Sequence, residues 1–302
     1  MKTPPLDAAA LAGPAPGPAA HLARVQLEAV LIAALPLLAE GAGGARGEAL
    51  HDFRVALRRL RSILRGWDGP LDGTLTPKQR RRLKKLSRRG GRVRDLELRI
   101  GALRQQRLRG AGPRRALERL TAQLDAEMAR TQEQFVDRLR RHLGKAAGKL
   151  SRGLERLQAD GTEPAASALG RAVSDYSQDL DQALAVVPQA DEPRPPHRAR
   201  IAAKRLRYLL EPLRGSVAGA ASLLQRLAAL QDGLGTLHDC QLLEACVGDA
   251  AAAQPDLGAL QPRLRRATRR ALHQARHLSR PANRRALRRD AAALLRRLGA
   301  RS

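Results

Sequence analysis

Two eleven-residue stretches carry the side chains best suited to hold an anion. They are His51-Asp52-Phe53-Arg54-Val55-Ala56-Leu57-Arg58-Arg59-Leu60-Arg61 and His197-Arg198-Ala199-Arg200-Ile201-Ala202-Ala203-Lys204-Arg205-Leu206-Arg207. In each, a histidine is followed by cations at three- and four-residue steps, the spacing that gathers side chains on one face of a helix. At about 100° per residue, His51, Arg54, Arg58, Arg61 and Arg65 fall within an arc of roughly 80°. Phe53, Ala56, Leu57, Leu60, Ile63 and Leu64 oppose them. His197, Arg200, Lys204 and Arg207 fill the same arc of the second stretch, opposite Ala199, Ala202, Ala203, Leu206, Leu209 and Leu210. One face of each helix packs; the other is a row of donors. An arginine fork grips phosphate oxygens bidentately, where lysine acts as a point charge. Glu211 stands where Arg65 stands in the first stretch, so the second row is one charge shorter and ends on a carboxylate placed to pair with Arg207.

The two histidines lie 146 residues apart, from position 51 to position 197. A second motif recurs at nearly the same offset: Gly91-Arg92-Val93-Arg94-Asp95 and Gly235-Thr236-Leu237-His238-Asp239 are 144 residues apart, from 95 to 239. The chain reads as two copies of one helical unit. A basic face on one helix is ordinarily just solvated; its duplication in the same arc favours a ligand. Lys85, Arg88 and Arg92 share a polar helical face beside the second motif and rank as secondary contacts.

Composition narrows the partner. Lys+Arg number 56 against 29 Asp+Glu in 302 residues, a formal charge of +27 and a pI near 11.7. Such a chain repels itself unless a polyanion is near. Aromatic residues make up 2% of the chain, so Leu and Ala must build the core, with close helix packing. The two cysteines, Cys240 and Cys246, lie six apart in one helical stretch and point to different faces, which suits a reducing cytosol. Met1 to Ala20 has one lysine and five prolines before any apolar run, and no stretch approaches the roughly 20 apolar residues of a membrane span. A soluble, cytoplasmic protein is expected.

The elements that must position these residues follow from apolar periodicity and punctuation. Residues 1–19 read as a disordered Pro/Ala-rich arm. The first repeat, 20–159, should hold four helices: His21 to Glu40 with a bend at Pro36, the His51 helix to about Trp67, Pro77 to Arg109 with Thr76 as N-cap and a weak point at Gly90-Gly91, and a long helix to about Leu157 with breaks near Gly144 and Gly148. Residues 160–164 form a hinge. The second repeat, 165–302, should run as Ala165 to Val187, the His197 helix, Ala220 to Ala250, and Asp256 to Leu298 interrupted near Pro281. Nothing alternates at period two over a strand's length. The expected fold class is all-α: two tandem antiparallel four-helix bundles related by a pseudo-twofold internal duplication.

These blocks, with Leu86-Ser87-Arg88-Arg89-Gly90-Gly91 and Leu230-Gln231-Asp232-Gly233-Leu234-Gly235 leading into the second motif, closely resemble the CHAD domain family, named for its histidine-bearing α-helical domain. The resemblance spans almost the whole chain after its first twenty residues. It implies two four-helix bundles that face basic surfaces around a central pore and bind inorganic polyphosphate, often at polyphosphate granules. Carried over residue by residue, it puts His51, Arg54, Arg58, Arg59 and Arg61, with His197, Arg200, Lys204, Arg205 and Arg207, on the polyphosphate surface, joined by Arg94 and His238. Asp95 and Asp239 read as orienters of nearby arginines. Three positions depart between the copies: Arg198 for Asp52, Leu234 for Gly90, and His238 for Arg94. Some relatives of this kind are fused to a triphosphate-hydrolysing CYTH domain; its Glu-x-Glu-x-Lys pattern does not occur here, which reads as a binding module standing alone.

The implied function is non-catalytic, needing no cofactor or metal. Binding should come from cations replacing the polymer's counterions, with steep salt dependence, and should tighten towards pH 6 as a polyanion raises histidine pKa values. With no bases in the ligand, stacking aromatics are unnecessary. The alternatives are a nucleic-acid protein reading the phosphate backbone, or a polyphosphate-processing enzyme, which would need clustered carboxylates for a divalent metal. Granule proteins are further candidate partners; a membrane is not. His273 and His277 have metal spacing but lack a zincin's glutamate and read as a surface pair. Trp67 and Tyr208 are expected to pack at helix ends, the Tyr208 hydroxyl on the cationic side.

Overall fold

A computed structural model describes residues 3–39, 46–157, 163–189 and 194–299. Every regular element among them is helical, and the single β-bridge joins Pro14 to Pro164. The helices are α1 (Ala8–Ala12), α2 (Pro16–Leu38), α3 (Arg46–Gly66), α4 (Pro77–Arg104), α5 (Ala111–Glu155), α6 (Ala165–Ala185), α7 (Arg194–Leu210), α8 (Ala220–Ala253), α9 (Gln261–Leu278) and α10 (Pro281–Gly299), with 3-10 turns at Glu211–Leu213 and Pro255–Leu260.

The boundaries follow from local chemistry. Thr76 caps α4 through a capping box with Gln79, and Pro77 occupies the first turn, where its missing N–H costs nothing. Gly110 at φ 89° and Gly219 at φ 88° turn the chain into α5 and α8 in a conformation other residues avoid. The expected breaks near Gly144 and Gly148 do not occur, and the weak point at Gly90-Gly91 does not interrupt its helix. α4 and the 45-residue α5 run through them, because Leu and Phe packing on either side outweighs the roughly 1 kcal/mol propensity cost of each glycine. Pro281 does interrupt the last helix, separating α9 from α10.

Packing groups α2 with α3, α4 with α5, and α6 with α7, α7 with α8, α8 with α9, and α10 with α6. Leu and Ala supply the bulk of the main core, and the pair Phe53–Phe135, 5.7 Å apart edge to face, sits at the α3–α5 contact. A second, separate core joins Leu96, Ile100, Leu103, Leu120 and Leu124 of α4 and α5 to Leu243 and Val247 of α8 and Leu257, Leu260 and Leu264 beyond it. The two halves of the chain therefore meet where α3 crosses α7 and at this distal core, as well as along the N-terminal strip on α6.

Two expectations fail here. The N-terminal segment is not a disordered arm from Thr3 onward. Leu6 and Leu11 are buried, the Leu6 N–H donates to the Pro212 carbonyl at 2.9 Å, Ala15 donates to Glu163 at 2.9 Å, and Ala165 donates to Gly13 at 2.8 Å. Two leucines and a set of paired backbone groups tie this Pro/Ala-rich strip to the second half, with α1 lying on α6. Pro16–Leu38 is, moreover, long and apolar enough to cross a membrane, with a mean hydropathy of 1.5 over its richest window. Its alanines and leucines pack on α3, while Ile32 and Leu35 stay exposed. The hinge expected at 160–164 falls mostly outside the described residues.

Candidate functional site

The two cationic rows come together at the α3–α7 crossing. Gly66, at the end of α3, lies so close to Leu209 that a Cβ there would collide with its side chain. This approach lets Arg58 of α3 donate from Nη1 to the Tyr208 hydroxyl of α7 at 3.1 Å. Tyr208 lies between cations from both helices, with the Arg58 and Arg207 guanidinium carbons 5.9 and 5.8 Å from its ring centre. Arg207 donates to the Gln231 side-chain oxygen at 3.0 Å, and Gln231 donates onward to the Ala203 carbonyl at 3.1 Å, so a buried glutamine of α8 fixes the α7 row. On α4, Gly90 leaves room for another member: a Cβ there would stand 3.3 Å from Arg54 Cγ and 3.4 Å from the Phe135 ring.

Electrostatics identify the members of the centre. Burial, then the fields of Arg58, Arg200 and Arg54, push the Lys204 ammonium down to about 7, against a smaller opposing pull from Asp239. Burial and Arg58 push Arg54 down to about 10, partly opposed by Asp95. Arg200 is lowered by burial, with Asp239 opposing, and its Nε is buried without a hydrogen-bond partner. Burial pushes the Asp239 carboxyl up, Arg200 pulls the other way, and Asp95 adds to the rise. The His197 and His238 rings lie 5.0 Å apart. Burial, Arg200, His197 and Lys204 push His238 down to about 4, and His197 is lowered by burial, Arg200 and Lys204. Arg54, Arg58, Arg200 and Lys204, offset in part by Asp95, Asp239 and Glu97, thus share one region with His197 and His238, whose charged forms are disfavoured. Such a group is suited to an anion, because negative charge delivered from outside would relieve its mutual repulsion.

The remaining predicted residues lie at the edge of this centre or away from it. Arg94 acts on Arg54 and Asp239 of the centre, and donates to Glu97 at 3.1 Å. Arg59 is bound to Glu211 at 2.7 Å, and Arg207 lies 3.8 Å from the same carboxylate. Glu211 pairs with Arg207 as expected, and more closely with Arg59 on the opposite helix. Thr3 also donates to Glu211, at 3.1 Å. His51 is exposed on α3. Arg61 and Arg205 lie beside Arg65, on the far side of the crossing from Glu211's partners in sequence correspondence. Lys85, Arg88 and Arg92 line a separate cleft of about 670 Å³ between α4 and α5, with Arg89, Arg130 and Arg138 facing a single carboxylate, Glu127. Sequence reasoning missed Arg130 and Arg138 because α5 carries no repeated motif, passed over Arg89 although it lies on α4 within the duplicated block, and missed Gln231 because its role depends on a partner 24 residues away. His273 and His277 are exposed, and no cluster fit to hold a metal occurs among the described residues. Trp67 is buried, as expected.

Residues 28–248 match the family model for the CHAD domain. The chain belongs to the CHAD domain family. Among solved structures, the CHAD domain from the plant Ricinus communis is similar over 97% of this chain and 96% of its own, with a TM-score of 0.68 at 23% identity. PptA from Streptomyces chartreusis is similar over 88% of this chain and 99% of its own, with a TM-score of 0.63 at 20% identity. At such identities the likeness establishes the CHAD fold alone. No curated protein matches the chain.

Proposed function

We propose that this CHAD protein binds inorganic polyphosphate without catalysis, holding the polymer at the centre built from both copies of its cationic helix. The supporting observation is the convergence of Arg54 and Arg58 from α3 with Arg200 and Lys204 from α7, where burial, aided by the fields of the three arginines, pushes Lys204 down to about 7. A linear phosphate polymer carries about one negative charge per unit and can thread such a region, giving up counterions as the cations replace them. Asp95 and Asp239 act through Arg54 and Arg200, opposing the fields that would drive those forks apart. His197 and His238 enter neutral and take up protons as the polymer arrives. The protein then works in the cytoplasm at the granules where this polymer collects.

The test is competition. Labelled long-chain polyphosphate bound to the protein should survive duplex DNA or RNA added at equal phosphate concentration. Displacement by either would transfer the site to nucleic acid. Incubation with Mg²⁺ or Mn²⁺ should release no orthophosphate; steady release would make the protein an enzyme.

A further inference from the structure

The duplicated sequence supplies an internal comparison at the α3–α7 crossing. Counted by the 146-residue offset, Arg59 corresponds to Arg205, Arg61 to Arg207, and Arg65 to Glu211. Each side of the crossing therefore carries one arginine from each helix plus a third residue. On one side the third residue is Glu211. Its carboxylate lies 2.7 Å from Arg59 and 3.8 Å from Arg207, and the trio is neutralised from within.

On the other side the third residue is Arg65, and three arginines, Arg61, Arg65 and Arg205, stand together. No carboxylate lies within ion-pair distance of any of them among the described residues. The nearest acidic influences are Asp179, acting on Arg205, and Asp68, which is bound to Arg80 at 2.7 Å. Beside the trio, Tyr176 of α6 is buried with a hydroxyl that has no hydrogen-bond partner, an orphan donor next to Arg65 and Arg205. Arg61 and Arg65 also line a cleft of about 220 Å³ with Arg80, Arg81 and Lys84, in which no lining residue is acidic. The corresponding positions of the second copy, at the 144-residue offset, are Leu224, Gln225 and Ala228. The cleft's charge belongs to the first half only.

We infer that Arg61, Arg65 and Arg205, backed by Arg81, Lys84 and the Tyr176 hydroxyl, form a phosphoryl-oxyanion site in which the ligand occupies the place that the Glu211 carboxylate fills in the related trio. The inference rests on the polyanion reading of the centre and gives it a direction. Arg58 lies within electrostatic reach of Arg61, so the cationic row on α3 continues from the centre into this cleft. The row on α7 stops at Glu211. A bound polymer extends past the centre on one side only. A free phosphate or pyrophosphate offers the same chemistry at the same place.

Arg65 is exposed, so its substitution leaves the core intact. Arg65→Glu reproduces the arrangement of the Glu211 trio and should raise the melting temperature without ligand. It should weaken long-chain polyphosphate at least about fivefold, with Arg65→Ala intermediate. Pyrophosphate, added as a separate probe, should protect wild type against thermal unfolding more than Arg65→Glu if small oxyanions occupy the site, and equally if only a polymer unit does. Polyphosphate that binds wild type and Arg65→Glu alike overturns the assignment and leaves the centre standing. A wild type that binds no polyphosphate overturns both.

Discussion

Arg58 and Tyr208 join the two copies of the cationic helix through one hydrogen bond, Nη1 to hydroxyl at 3.1 Å. The bond fixes the fork whose charge disfavours the Lys204 ammonium of the opposite helix more than any other charge does. Tyr208→Phe keeps the ring and removes the acceptor. It should cost about 1 kcal/mol of stability, read by denaturant unfolding, and less than about threefold in polyphosphate affinity, because the Arg58 charge remains. Arg58→Ala should cost about tenfold or more. Equal losses in affinity would show that the tyrosine hydroxyl itself touches the ligand.

Lys204 is predicted to trade stability for binding. Its folded pKa, about 7, lies below the ordinary lysine value of 10.5. For this group stability is fully present above the unfolded pKa, declines as pH falls, and is lost once pH passes below about 7. Lys204→Met should therefore stabilise the protein at pH 6–7 by roughly 2–4 kcal/mol, with the gain vanishing above about pH 10. Thermal unfolding across that range checks it; a variant destabilised at pH 6 contradicts it.

The same residue sets the pH profile of binding. A polyanion raises the Lys204 pKa against the fields of Arg54, Arg58 and Arg200, so binding takes up a proton over the window above about pH 7. Affinity should weaken steadily from pH 7 to 9, and Lys204→Met should flatten that limb. Histidine dependence lies lower than the sequence implied, because His238 sits at about 4 before ligand arrives. Isothermal titration in buffers of different ionisation heat would count the protons; zero uptake at pH 8 would refute the linkage.

Much of this was legible in the residues. The helical periodicity, the duplicated motifs and the opposing apolar faces led directly to an all-α chain with His51, Arg54 and Arg58 on one row and His197, Arg200 and Lys204 on another. What could not be read was which cations already had partners. Arg59 and Arg205 occupy matching positions, yet one is neutralised by Glu211 and the other is not, a difference decided by a single residue on the neighbouring helix. The N-terminal strip was misread because Pro and Ala carry a disordered composition, while two leucines and a few backbone hydrogen bonds suffice to anchor it. Lys85, Arg88 and Arg92 share a helical face with one another, but the helix turns that face towards α5.

A stability prediction concerns Gly153 near the end of α5. A Cβ there would overlap the Thr74 backbone in the turn between α3 and α4, and backbone cannot rotate away. Gly153→Ala should destabilise the protein by about 1–3 kcal/mol despite alanine's better helix propensity. Gly144→Ala, with open space around it, should be neutral or stabilising. Equal melting temperatures for the two variants would contradict this contact.

The most direct test is titration of polyphosphates of defined length against wild type, Arg54→Ala/Arg58→Ala and Arg200→Ala/Lys204→Ala. Both doubles should lose affinity by about tenfold or more, and each should lower the slope of log K against log salt by about 1–2, because each copy supplies two of the cations that displace counterions. A double that binds as wild type does, with an unchanged salt slope, would mean that only one copy meets the polymer and that the shared centre is not the binding site.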